Sequence, residues 1–197
     1  MHVSRETSQK LKKYAALIRR WNPRINLIAP SSIADLDSRH ISDSTQLIPL
    51  ANPDSGSWMD LGSGGGLPGI VVSILTQDTE LEVTLVESDQ RKSAFLKTVR
   101  RELELRNLTV KTMRIERLPV GQHQYLSARA LAATEKLLPH ISRQLARDGE
   151  AWLLKGQSWK EEVEAARRHW RFDLDIYQSA TDPASAILKL RNIEQNA

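Results

Sequence analysis

At 197 residues the chain is long enough for one domain with a sizeable core, and it has no cysteine, which excludes disulfides, cysteine-ligated zinc and thiol chemistry. Its five histidines (His2, His40, His123, His140, His169) are scattered with no i,i+4 pair, so no metal site is expected, and no apolar run is long enough to cross a membrane. With 28 basic against 24 acidic residues the net charge is small, and no apolar leader follows the N-terminal charges; a cytoplasmic protein is the expectation.

The charge is unevenly spread. Residues 1–30 carry seven Lys and Arg and one acid, residues 91–117 carry nine and three, and residues 31–90 carry one Arg and ten acids. Such asymmetry suits a polyanionic partner or, equally, solvated helix faces; charge alone does not choose.

In chain order, apolar residues at Leu11, Tyr14, Ala15, Ile18 and Trp21 have helical spacing over 6–21, with Lys10, Lys12, Lys13, Arg19 and Arg20 outside and Pro23 as the stop. A Ser31-Ser32 cap opens a second helical region over 32–50. Residues 1–52 therefore read as a helical extension packed on a core of 53–197, one structural unit overall, with turn chemistry at Asn52-Pro53-Asp54-Ser55-Gly56 between them. From there strands are expected at 57–61, 82–87, 108–113, 124–129 and 150–155, with helices at 67–76, 90–105, 134–146 and 158–169. Segments 171–178 and 185–191 form a terminal hairpin. That alternation predicts an α/β fold: a mostly parallel sheet with helices on both faces and an antiparallel last strand.

The first strand runs into Asp60-Leu61-Gly62-Ser63-Gly64-Gly65-Gly66-Leu67-Pro68-Gly69, which holds five of the nine glycines. Glycines at this density mark backbone that reaches φ > 0 or lies close to a ligand, and a strand–loop–helix of this kind builds a nest of amide groups. A dinucleotide is the default ligand of such a loop. Asp60 and Pro68 argue against it: an acid at the mouth repels pyrophosphate, and proline removes an N–H from the first helical turn. An acid there suits the sulfonium and amino group of S-adenosylmethionine instead.

Glu87 closes the second strand, where an acid accepts both ribose hydroxyls, while Asp89 or Ser88 is free to cap the next helix. Ile115 and Glu116 follow the third strand at the carboxyl edge of the sheet, fit to sandwich an adenine and read its amino group. Arg129 ends the fourth strand and needs an anion, whether the cofactor carboxylate, an RNA phosphate or an internal partner; Lys155 ends the fifth in the same way. His40 and Asp43, three apart on a helix, form either a polar knot facing the cleft or a structural pair.

Together these blocks resemble the RsmG (GidB) family of ribosomal RNA methyltransferases. The resemblance rests on the loop above, Trp21-Asn22 with Asn26-Leu27, Arg39-His40-Ile41 with Asp43-Ser44, Glu87-Ser88 with Arg91-Lys92 and Phe95-Leu96, Ser127-Ala128-Arg129-Ala130, and Leu154-Lys155-Gly156. It covers nearly the whole chain. It implies a class I (Rossmann-like) methyltransferase that uses S-adenosyl-L-methionine, releases S-adenosyl-L-homocysteine, needs no metal, and methylates N7 of a guanosine in 16S rRNA. Cofactor-binding positions carry over onto Gly62, Leu67, Ile115, Glu116 and Arg129, joining Asp60, Gly64, Gly66 and Glu87 from the residues themselves. No acid or base is expected, because guanine N7 presents a lone pair and no proton; Arg129, Lys155, His40 and Asp43 are expected to position. The partner is 16S rRNA or a small-subunit precursor, met by basic residues of 10–24 and 91–117, with the protein a monomer. Alternatives are a class I methyltransferase on another RNA or a small molecule, a non-catalytic nucleotide-binding module, and an NAD(P) oxidoreductase.

Overall fold

The computed structural model describes residues 4–196. Seven strands, β1 (Ser55–Leu61), β2 (Glu80–Glu87), β3 (Leu108–Thr112), β4 (His123–Arg129), β5 (Leu145–Lys155), β6 (Trp170–Gln178) and β7 (Ala186–Gln195), form one sheet in the order β3-β2-β1-β4-β5-β7-β6. The pairs among β1 to β5 are parallel, whereas β7 runs antiparallel to both β5 and β6. The predicted fold class and terminal hairpin are what the chain forms. Because the chain leaves β1 toward β2 and later returns to β4 on its other side, a crevice opens at the carboxyl ends of β1 and β4.

Strand parity decides which side chains meet which helices. Trp58, Val83 and Leu85 pack with Tyr14 and Ile18 of α1 (Arg5–Ile25), Ile70 and Ile74 of the helix over Gly69–Leu75, and Phe95 and Leu96 of the helix over Gln90–Glu102. On the opposite face Met59, Leu61 and Val86 pack with Leu137, Leu138 and Ile141 of the helix over Thr134–Gln144, and with Val163 and Ala166 of the helix over Trp159–Arg167. In chain order after α1 these are α4, α5, α6 and α7, with α2 (Ser42–Thr45) and α3 (Leu47–Ala51) between α1 and β1.

Two expectations about the N-terminal part are corrected. Helix α1 continues through Pro23 to Ile25 and ends at Asn26, which is left-handed (φ 49°) and donates its N–H to the Asn22 carbonyl. Pro23 gives up its N–H bond to the Arg19 carbonyl and crowds that carbonyl, yet the helix runs two residues further, and the αL residue is the stop. The second helical region is broken: a short turn at Pro30–Ser32, a π-helical turn at Leu36–Ile41, then α2 and α3. Ser32 does not cap it; its hydroxyl donates back to the Ala29 carbonyl at 2.8 Å. The π turn, a form found often at functional sites, carries Arg39 and His40.

Phe95 is fully buried between α5 and α1, its ring 5.7 Å from that of Trp21. Phe95→Ala is expected to cost about 3–5 kcal/mol, read from the urea midpoint. A loss below about 1 kcal/mol would mean that α1 is not held on this face.

Candidate functional site

The glycine loop is shaped by its neighbours on both sides. Gly62, Gly64 and Gly66 all have positive φ, at 64°, 55° and 91°. A Cβ on Gly66 would stand 2.4 Å from Ile70 Cγ1 and 3.0 Å from both Leu96 and the Tyr14 hydroxyl, and one on Gly62 would strike Leu131. Around Gly64 there is only the loop's own Gly62 carbonyl, at 3.8 Å, so a side chain there would project into the open crevice. The Tyr14 hydroxyl donates to the Gly65 carbonyl at 2.7 Å within the core. Helix α1 thus buttresses the loop directly, a role its apolar spacing did not suggest.

Asp60 is not at the mouth, where the sequence reading put it. It is 1 % exposed and lies beneath the loop on the α4 side of the sheet, sharing strand parity with Trp58. The Trp58 indole N–H donates to Ser127 Oγ (2.9 Å), and Ser127 donates to Asp60 Oδ1 (2.6 Å). Among the described residues Asp60 Oδ2 makes no hydrogen bond of normal geometry, although Ser63 and the Gly69 N–H lie close enough to oppose the effect of burial on its pKa. Burial raises its pKa from 3.8 to about 6, against the opposing hydrogen bond from Ser127.

Above the loop is a cleft of about 710 Å³. Of the residues singled out from sequence, Gly62, Gly64, Leu67, Glu87, Ile115, Glu116, Arg129 and His40 line it, whereas Asp60, Gly66, Asp43 and Lys155 do not. Glu87 accepts the Gly64 N–H at 2.8 Å through Oε2 and the Asp89 N–H at 2.7 Å through Oε1. Asp89 caps α5 by accepting from the Arg91 and Lys92 amides, which leaves Glu87 on the cleft wall as expected. One wall was not assigned to the site from sequence, where Asn26-Leu27 served only as a mark of the family: Asn26, Leu27, Ile28 and Ala29 line the cleft. Asn22 fixes this segment by accepting the Ile28 N–H at 2.9 Å, and Leu27 Cβ would sit 3.2 Å from a Cβ on Gly65.

Arg129 is the junction between the N-terminal part and the sheet. Its guanidinium donates to the His40 carbonyl (3.1 Å) and to His40 Nδ1 (2.5 Å), and stands 3.8 Å from Asp43 Oδ2. Accepting at Nδ1 puts the His40 proton on Nε2. Burial and the nearby Arg129 and Arg39 charges hold the His40 pKa down at about 4, so the ring is neutral at physiological pH. Asp43 makes no hydrogen bond to His40; its Oδ1 accepts from Gln46, Ser179 and Thr181, tying α2 to the β6–β7 turn. Lys155 faces inward: Nζ donates to the Ala132 carbonyl (2.7 Å) and to Glu162 (2.8 Å), whose Oε2 also accepts the Thr134 N–H. It is a structural clamp on the segment after β4, not a free cation.

A family model described as GidB, rRNA small subunit methyltransferase G, matches residues 7–185. Ribosomal RNA small subunit methyltransferase G of Paracoccus denitrificans is 52% identical over 193 residues, covering 98% of each chain. The protein of that name from a Ruegeria species is 46% identical, over 99% of this chain and 95% of its own. The chain belongs to the rRNA small subunit methyltransferase G family. Among solved structures, an S-adenosylmethionine-dependent methyltransferase from Aquifex aeolicus superposes with a TM-score of 0.63 at 10% identity, over 89% of this chain and 97% of that one. A tRNA methyltransferase, TrmI, from the same organism gives 0.61 at 11% identity, over 79% and 69%. At these identities the likeness is one of fold, and that fold is the class I methyltransferase.

Two measurements follow from this geometry. Between pH 3.8 and 6 folded Asp60 holds a proton that the unfolded chain has released, so rising pH removes stability and the full cost is present above pH 6. Asp60→Asn is neutral throughout; it should gain about 2–3 kcal/mol over the native protein near neutral pH, the gain vanishing toward pH 4. His40, with its lowered pKa, pulls the other way as pH falls from 6.5, so the difference between the two proteins is the quantity to read. A difference independent of pH would contradict the assignment. Tyr14→Phe strands a buried carbonyl and should cost about 1–3 kcal/mol in denaturant unfolding.

Proposed function

We propose that the protein transfers a methyl group from S-adenosyl-L-methionine to N7 of a guanosine in 16S rRNA. The observation that carries this reading is the cradle at Gly64: a positive-φ glycine whose missing side chain leaves the crevice open, its amide held by Glu87. The residues present fit the cofactor. Glu87 offers carboxylate oxygens for ribose hydroxyls, Ile115 an apolar face and Glu116 a polar neighbour for adenine, and Arg129 a cation for a carboxylate. Glu87 and Glu116 take over the part first given to Asp60, as the acids on the wall of a cleft that receives a cationic ligand; Asp60 supports the loop from below. The case against a dinucleotide accordingly passes from Asp60 to the fold and the family.

When bound, the cofactor supplies an electrophilic methyl group on a sulfonium. Guanine N7 has an in-plane lone pair and no proton to remove, so the protein need provide no general base. His40 agrees with this: it is neutral, its Nδ1 is taken by Arg129, and a pKa of about 4 makes it a weak proton acceptor. What remains for the chain is positioning. The loop fixes one reactant, and Leu131, which overhangs Gly62, limits how the other approaches. His40 and Asp43 act by fixing Arg129, while Lys155 acts by fixing the Ala132 segment.

The partner in this reading is 16S rRNA or a small-subunit precursor, met in the cytoplasm by a monomer. Among the described residues no helix is long and apolar enough to cross a membrane. The basic surface is narrower than the sequence count. Lys10 pairs with Glu6, Lys13 with Glu102 and Arg19 with Asp37, whereas Lys12, Arg20 and Arg24 of α1 form no ion pair among the described residues.

The deciding experiment maps N7-methylguanosine in 16S rRNA from cells with and without the gene. One such site should disappear on deletion and return with the wild-type gene; an unchanged map would refute the proposed substrate.

A further inference from the structure

A second groove, about 540 Å³, lies on the outside of the molecule between α1 and α5. Buried Leu17 and half-buried Trp21 and Ile25 form its apolar part, with Thr98 from α5. Arg20, Arg24 and Arg101 surround it, all exposed and none ion-paired among the described residues. Glu102 also lines it, but its carboxylate is engaged by Lys13 at 3.3 Å. What sets this face apart is three guanidiniums clustered beside an indole held in place by Phe95. Of the other α1 cations Lys10, Lys13 and Arg19 have acidic partners, and Lys12, which has none among the described residues, does not line the groove.

We propose that this groove docks an unpaired RNA segment, with one base seated on Trp21 and the flanking phosphates on Arg20, Arg24 and Arg101. The inference rests on the rRNA substrate proposed above and adds a second place where that RNA is held. Guanidinium forks bind phosphate oxygens in pairs, and an aromatic ring accepts any base. Both helices lead from the groove to the reaction cleft: α1 runs directly into the wall formed by Asn26–Ala29, and Lys92 in the first turn of α5 lines the cleft as well. An RNA strand that enters the cleft thus has a basic, aromatic track beside it. An acidic protein would use the arginines but would leave the indole without a role.

The test is fluorescence anisotropy of the whole protein with labelled oligoadenylate across a salt series. The native protein should bind with a steep salt dependence. Replacing three phosphate contacts in Arg20→Gln/Arg24→Gln/Arg101→Gln should reduce the magnitude of the log–log slope by about 2, each contact counting about 0.7 on a single strand. Trp21→Leu should weaken binding about tenfold with the slope unchanged, and Trp21→Phe should restore most of it. A matched removal on the opposite face, Lys136→Gln/Arg147→Gln/Arg168→Gln, should change neither quantity. All variants are to be compared at equal thermal stability and equal S-adenosylmethionine affinity. No binding by the native protein, an unaltered slope in the arginine variant, an equal loss in the opposite-face variant, or preference for polyglutamate over the RNA each overturns the proposal. Methyl transfer by the native protein to 16S rRNA is measured alongside. If transfer occurs while the slope stays fixed, the groove alone is wrong; if there is no transfer either to that RNA or to small subunits from cells lacking the gene, the proposed substrate falls irrespective of the groove.

Discussion

The structure depends on how closely other chain segments approach the loop from Gly62 to Gly66. On one side Tyr14, Ile70 and Leu96 leave no space for a Cβ at Gly66, and on the other Leu131 leaves none at Gly62. Only glycine combines positive φ with that crowding. The same crowding explains why one position, Gly64, opens onto free space: the loop is clamped at both ends and bare in the middle. The buried chain from Trp58 through Ser127 to Asp60 supports it from beneath. A buried carboxyl group whose Oδ2 lacks a hydrogen bond of normal geometry among the described residues is a cost that the fold tolerates in order to hold this turn.

The N-terminal helices follow from this constraint. Tyr14 braces the loop, Leu27 packs beside Gly65, and His40 with Asp43 orients Arg129, so residues before the sheet build a wall and a corner of the cleft. The outer side of α1 bears the arginines of the groove, while its inner side carries the tyrosine that touches the loop. One helix therefore lies between the proposed RNA contact and the proposed cofactor contact.

Much of this was legible in the residues. Alternation and glycine spacing gave the order of strands and helices, the loop, and the carboxyl-edge positions of Glu87, Ile115, Glu116 and Arg129, because those signals are local. Asp60 was misplaced because its spacing to the loop is local but its orientation is not: strand parity sends it under α4, where Ser127 meets it across the sheet. Lys155 was ambiguous for a related reason, since its partner Glu162 is contributed by the following helix. Pro23 misled because its φ is compatible with a helix: it costs one backbone hydrogen bond and crowds the Arg19 carbonyl, but the packed helix continues to Ile25 all the same. Asn26-Leu27 was marked only as a block of the family resemblance, and neither its place in a cleft wall nor the Tyr14–Gly65 bond could be read; both depend on how a long amphipathic helix crosses the sheet.

The central claim is that the loop exists to hold S-adenosylmethionine, and calorimetry tests it most directly. The native protein should bind S-adenosylmethionine and not NAD. Gly64→Asp, whose residue type is among those best tolerated in left-handed backbone, should abolish that binding by filling the cradle while costing only about 1–2 kcal/mol of stability. Undiminished affinity in Gly64→Asp, or binding of NAD in place of S-adenosylmethionine, would contradict it.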